Sequence, residues 1–191
     1  KFPGAPAGVK MACGENPKRN YRERGGPATR MGNVAGFRKA FQEATEYRRR
    51  WAKYRRDLEL WKAKLARVQA RDADEKARHD EEPGPVDPPE PPARDFELET
   101  LADVIDGKLL VHDHCYRADE MSIMLDLAKE FRFNIRSFHH ALEAYKIRDR
   151  LAAEGVAVAT WADWWGFKME SFDGVPENAA LVSEAGGRAI I

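Results

Sequence analysis

Apolar residues recur along this chain in two rhythms. Between Asn33 and Glu81 they fall at Phe37, Phe41, Ala44, Tyr47, Trp51, Tyr54, Leu58, Trp61, Leu65 and Val68, in steps that mostly alternate between three and four. That spacing predicts one long helix with a heptad seam. The Arg, Lys, Glu and Asp between the seam positions suit the solvated flank of a coiled coil. The stretch has no proline and almost no glycine. Its last part, ARDADEKARHDEE, loses the apolar stripe and runs into PGPVDPPEPPARD. Closely spaced prolines exclude helix and favour an extended, polyproline-like spacer.

The second rhythm begins at Phe96. ETLADVIDGK reads as a helix closed by glycine, KLLVHDHC as a strand, ADEMSIMLDLAKEFR as an amphipathic helix and FNIRSFHH as a strand. EAYKIRDRLAAEG then predicts a helix, VAVAT a strand, VPENAALVSEAGG a helix and RAII the start of another strand. With GVKMAC near the start there are about five strands, separated by helices as in a parallel sheet with right-handed crossovers. Five strands do not close an eight-stranded barrel, so the pattern fits an open sheet or a barrel cut at both ends. Three segments follow: 1–44, a strand and the first helical turns; 45–95, the long helix and proline-rich stretch; 96–191, the regular alternation.

Composition narrows the function classes. The chain has 191 residues, with 32 basic and 32 acidic side chains. That balance leaves no global field to draw nucleic acid or an anionic membrane. The longest apolar runs are strand-sized, well short of the roughly 20 residues that span a bilayer. The start, Lys1-Phe2-Pro3-Gly4, has neither an initiator Met nor a signal-like apolar core, and the end, GGRAII, breaks off within a strand pattern. A piece of a longer chain is expected, and its compartment, cytoplasmic or periplasmic, is left open. Cys13 and Cys115 are too few for a disulfide scaffold and match no zinc-knuckle spacing. They are expected to be buried free thiols.

Candidate chemistry lies at the strand ends. HDHC and SFHH place imidazoles at the last residues of two strands with one helix between them, which is how neighbouring barrel strands deliver ligands to one mouth. His112 and His114 are two apart and share a strand face, whereas Asp113 points to the other. In a regular strand His139 would oppose His140 and be the structural member of that pair; a bulge would reverse this. Neutral imidazole suits zinc, iron, nickel or copper. Such a metal lowers the pKa of bound water to around 7 and polarises a carbonyl, so hydrolysis is the expected reaction class. Lys10, charged within an apolar strand, fits either a snorkelling edge lysine or a catalytic or carboxylated lysine at a barrel mouth.

GVKMACGENPKRNY, PATRMG, VHDHCYRADEM, SFHHALEAYKI and TWADWWGFKMESFDGVPENAALVSEAG together resemble the metal-dependent amidohydrolases, in particular their imidazolonepropionase-like branch. The match is ordered along the chain and covers nearly everything except about 45–95. The resemblance implies part of a TIM (β/α)8 barrel, from about the fourth strand to the start of the eighth, with the long helix and proline-rich stretch as an insertion. It implies a divalent metal, zinc as one or two ions, held by Lys10, His112 and His140 at the fourth-, fifth- and sixth-strand positions, with Lys10 a candidate for carboxylation. Glu15, His114, Tyr116, Arg117, Glu143 and Tyr145 then fall in loops facing substrate or in the shell behind them. Trp161 to Glu170 form one wall, with Trp164 and Trp165 as apolar contacts. The implied substrate is a small-molecule amide or cyclic amide cleaved at its C–N bond.

The departures from that pattern carry weight. No His-x-His pair precedes Lys10, and the expected catalytic aspartate lies beyond Ile191; Asp163 follows the seventh strand and does not match it. These residues alone are therefore expected to be inactive, the longer protein being the enzyme. A second expectation, from a different class, is a non-catalytic interaction module in which the heptad helix joins another copy of the chain. A seam carrying Trp51, Tyr54, Leu58, Trp61 and Leu65 is not expected to stay exposed.

Overall fold

The computed structural model describes residues 3–72 and 87–191, with side chains given up to residue 70 in the first stretch. Five strands form one parallel sheet in the order β1-β2-β3-β4-β5: Gly8–Ala12, Leu110–His114, Ile135–His139, Ala157–Ala159 and Ala189–Ile190. The predicted strands are all present. Helices α1 (Glu15–Tyr21), α2 (Arg30–Asp72) and α3 (Phe96–Ile105) lie between β1 and β2 in the chain. Helices α4 (Ala118–Phe131), α5 (Arg148–Ala153) and α6 (Asn178–Glu184) connect the later strands. Among the described residues no helix is long and apolar enough to cross a membrane.

Helix α2 begins at Arg30, three residues before the apolar periodicity suggests. The Thr29 hydroxyl accepts the Gly32 N–H at 2.9 Å, an N-terminal cap that starts the helix ahead of its apolar stripe. Its first half is anchored by Phe41, Ala44 and Tyr47, all buried. Phe41 stacks on Phe133 at 4.5 Å and on Phe131 at 5.5 Å. Beyond Tyr47 the seam residues Trp51, Tyr54, Leu58, Trp61, Leu65 and Val68 are half-buried. The expected last turns of the helix and the first prolines of the spacer lie outside the described residues. The chain returns to the core through Asp95, whose carboxylate caps α3 by accepting the Glu97 and Leu98 N–H groups.

The helix predicted from EAYKIRDRLAAEG is divided. Ala144–Ile147 form a 3-10 turn and α5 starts only at Arg148. The Tyr145 N–H is taken by the Asn178 Oδ1 at 2.9 Å, which withdraws it from a continuous helical ladder. Asn178 is buried and also donates to the Ala141 carbonyl and the Thr160 hydroxyl. One amide thus ties the segments after β3 and β4 to the start of α6.

Strand alternation gives the sheet two unlike faces. Val111, Phe138 and Val158 are fully buried and join Phe41, Val104, Met121, Met124, Leu125, Leu151 and Val182 in the core against the helices. The other face carries Lys10, paired in register with His112, then His114, Ser137 and His139. A register shift between Val111 and His112 inserts Arg136, so that Ser137 lies opposite His112 and His139 opposite His114. This bulge places His139 on the same face as the other strand histidines; the regular-strand expectation is corrected accordingly.

The cysteines also depart from expectation. Cys13 and Cys115 follow the paired ends of β1 and β2, where the Cys13 N–H donates to the His114 carbonyl, and they form a disulfide with Cα atoms 5.3 Å apart. Residues 102 apart in sequence become neighbours through the strand register. No spacing rule within the chain could show that.

Candidate active site

The strand C-termini converge four imidazoles. His112 Nδ1 and His139 Nε2 share a hydrogen bond of 3.0 Å. The His114 and His140 rings lie 4.7 Å apart. His140 sits one residue past β3 with φ 59°, a left-handed conformation that turns its ring toward His114 and away from the strand's alternation. The structure pairs His112 with His139 and His140 with His114, rather than His112 with His140.

Burial disfavours the charged form of these rings. It pushes His114 down to about 4, helped by the adjacent positive charge of His140, Lys168 and Lys10. Burial and then Lys10 lower His140, and burial and then His112 lower His139. These rings are therefore neutral near pH 7, the state in which imidazole binds a metal. Two lone pairs already have donors: Asn16 Nδ2 lies 2.9 Å from His114 Nε2, and Trp161 Nε1 donates to His140 Nδ1 at 2.7 Å. Asn16 stands in the first turn of α1, and Trp161 in the loop after β4. Among the described residues no three of these imidazoles bring ligand atoms within 4.8 Å of one another, so the rings and Lys10 share a face without forming a closed ligand set.

An aromatic wall adjoins the rings. Tyr116, buried, stacks near His140 at 5.7 Å, and Trp161 stacks near the same imidazole at 5.8 Å. Trp164 packs on Phe167 at 4.4 Å, and Lys168 Nζ stands 3.7 Å above the Tyr116 ring. Trp161, Trp165 and Phe167 are exposed. A flat, largely apolar molecule could lie against this wall with a polar edge toward the histidines.

The remaining loop residues singled out from sequence are placed in the scaffold. Glu143, buried, accepts the Ala118 N–H at 3.0 Å and so satisfies the start of α4, while Lys146 pairs with it at 3.3 Å. Tyr145 donates its hydroxyl to the Asp173 carbonyl. Arg117 forks on to Asp119. Glu15 pairs with Lys18 at 2.9 Å, and its N–H is held by Glu170 Oε1 at 2.7 Å. Gly14, at φ 79°, makes that contact fit, because a Cβ there would fall 2.3 Å from the Glu170 oxygen. Asn16, Trp161, Phe167 and Lys168 were not singled out individually. The roles of Trp161, Phe167 and Lys168 depend on loop paths, and the resemblance alone implied a wall over Trp161 to Glu170.

No family model matches the chain. A curated relative, "Amidohydrolase tasK" of Hapsidospora irregularis, is 32% identical over 183 residues, covering 93% of this chain. A crystal structure of an amidohydrolase from Thermotoga maritima MSB8 superimposes with a TM-score of 0.67 and 28% identity over 96% of this chain. The chain spans 16% of the length of the first and 40% of the second. Over nearly its whole length, this chain is related to a part of the amidohydrolases.

Proposed function

We propose that this chain supplies part of the catalytic mouth of a metal-dependent amidohydrolase that cleaves the C–N bond of a small amide or cyclic amide, in the manner of the imidazolonepropionase-like branch. The observation that carries the reading is the convergence of His112, His114, His139 and His140, with Lys10 on the same sheet face. The consecutive strand order supports an arc of a (β/α)8 barrel, because an open doubly wound sheet reverses direction at a switch point. Chemistry in such barrels sits at the C-terminal strand ends, where these residues lie.

Zinc is the cation this reading favours, held by His114 and His140 with Lys10, His112 and His139 beside them; when bound, it supplies Lewis acidity toward a carbonyl and toward water. The chain's own residues do the rest. Tyr116, Trp161, Trp164 and Phe167 present ring faces that orient a flat substrate and exclude water on one side. Lys168 and Lys10 contribute positive charge near a developing oxyanion. Glu143, by holding the start of α4, keeps Tyr116 and the end of β2 in place.

The test is zinc content and amide hydrolysis, measured on this chain and on the full-length gene product. Stoichiometric zinc lost together with activity in His114→Ala and His140→Ala is the expected result. Full hydrolysis by those variants would overturn the reading.

A further inference from the structure

Behind the sheet, on the face opposite the histidines, lies a second group of ligating atoms. Cys13 and Cys115 are buried at the ends of β1 and β2, and Glu120, in the first turn of α4, is buried against them. One ligand atom from each lies within 4.8 Å of the others. Asp113 is two residues before Cys115 on the same strand face, fully buried, and neither carboxylate oxygen has a hydrogen-bond partner. A buried carboxyl left unpartnered is costly. A core packed otherwise with Met121, Leu125 and Phe138 has no apolar reason to keep one there.

We propose that Cys13, Cys115 and Glu120, with the unpartnered Asp113 carboxylate in the shell behind them, form a second site for a thiophilic divalent cation such as zinc, open when the cysteines are reduced and closed by their disulfide. Two thiolates and a carboxylate are ligands zinc accepts, and a water completes the tetrahedron. Two sulfurs on one zinc stand about 3.8 Å apart, from a Zn–S bond of about 2.3 Å. With Cα atoms 5.3 Å apart, rotation about each χ1 opens the pair to that span. Arg30 Nη1 holds Glu120 Oε2 at 2.9 Å, which orients the carboxylate as an outer-shell partner and offsets part of the excess negative charge.

The chemistry balances with a dithiol as reductant. The S–S bond breaks, two electrons and two protons pass to the sulfurs, and the reductant leaves as its own disulfide. Cation binding then releases both thiol protons. Oxidation by a disulfide reverses the sequence and expels the cation.

Cobalt(II) is the probe, because thiolate-to-cobalt charge transfer absorbs in the near ultraviolet and histidine ligation alone does not produce it. The chain is reduced anaerobically with a thiol-free phosphine and titrated with cobalt, beside the oxidised chain. We expect one equivalent bound with thiolate absorption in the reduced chain and none of that absorption in the oxidised one. The band should disappear in Cys115→Ser and persist in the His114→Ala/His140→Ala double variant. Asp113→Asn should bind at least about tenfold more weakly. A reduced chain without the band overturns the proposal and leaves a structural disulfide. So does a band that persists in Cys115→Ser, or one that forms equally tightly in urea-unfolded protein.

Discussion

The indole N–H of Trp161 donates to Nδ1 of His140 across 2.7 Å, and because an indole nitrogen can only donate, that ring nitrogen must be the unprotonated one. The neutral His140 ring therefore carries its proton on Nε2. A cation that takes the Nδ1 lone pair has to displace Trp161. Zinc titration should change the indole emission of the wild-type chain. Trp161→Phe should bind zinc about fivefold more tightly, since a hydrogen bond of about 1 kcal/mol no longer competes. Unchanged affinity by calorimetry would show that Nδ1 is not the ligating atom.

Asp113 and His114 are neighbours whose titrations pull stability in opposite directions. Burial and then the Glu120 charge push Asp113 up to about 8, whereas burial holds His114 down at about 4. Between the ordinary aspartate range and pH 8 the folded chain keeps a proton that the unfolded chain has lost, so stability falls as pH rises through that window. Below pH 6.5 the unfolded His114 takes up a proton that the folded one refuses, so stability also falls toward pH 4. In the oxidised, metal-free chain, Asp113→Asn should gain stability over wild type as pH rises, by at most about 1.4 kcal/mol per pH unit. Urea midpoints at pH 5, 6.5 and 8 measure this, and a difference that does not grow with pH would contradict the assignment.

The Cys13–Cys115 disulfide closes a sequence separation of 102 residues. In the chain-entropy account, a closed loop of about 100 residues is worth about 4 to 5 kcal/mol. Cys13→Ser/Cys115→Ser should therefore lower the urea midpoint substantially relative to the oxidised wild type. Without added metal, a reduced wild type should match the variant; equal midpoints for oxidised and reduced wild type would show that strand pairing alone holds the β1 end.

Asn178 satisfies Tyr145 N, the Ala141 carbonyl and the Thr160 hydroxyl from one buried side chain. Asn178→Ala leaves those groups without their partner, with a cost of at least about 2 kcal/mol. Asn178→Asp keeps the acceptor for Tyr145 N but loses both donors, so it should recover only part of that loss. Thermal denaturation of the two variants distinguishes lost bonding from lost packing.

The strands, the connecting helices and the start of the heptad seam were legible because each is written in local periodicity. Phe41, Ala44 and Tyr47 share one helical face, and the HDHC and SFHH runs end where strands end. Two things resisted reading, and both depend on register between distant segments. The insertion of Arg136 turns His139 to the side of His112, and the alignment of β1 with β2 brings Cys13 to Cys115. His140 was legible as a histidine at a strand end, but its left-handed backbone, which points it at His114, follows from the turn that the Asn178 amide helps to hold. The amidohydrolase resemblance was legible from motifs because residues such as those in GENPKR and EAYKI are fixed by contacts that local periodicity does not describe.

The consecutive strand order also bears on how the chain assembles. Strands β3, β4 and β5 each find a partner in the strand made just before, across one short crossover. β1 has to wait while the whole of α2, the proline-rich stretch and α3 are synthesised before β2 exists to receive it. Closing so wide an excursion is the slow, non-local event in this topology. During synthesis β1 therefore waits longer for its β2 partner than β3, β4 or β5 wait for theirs, with its edge unprotected in the interval.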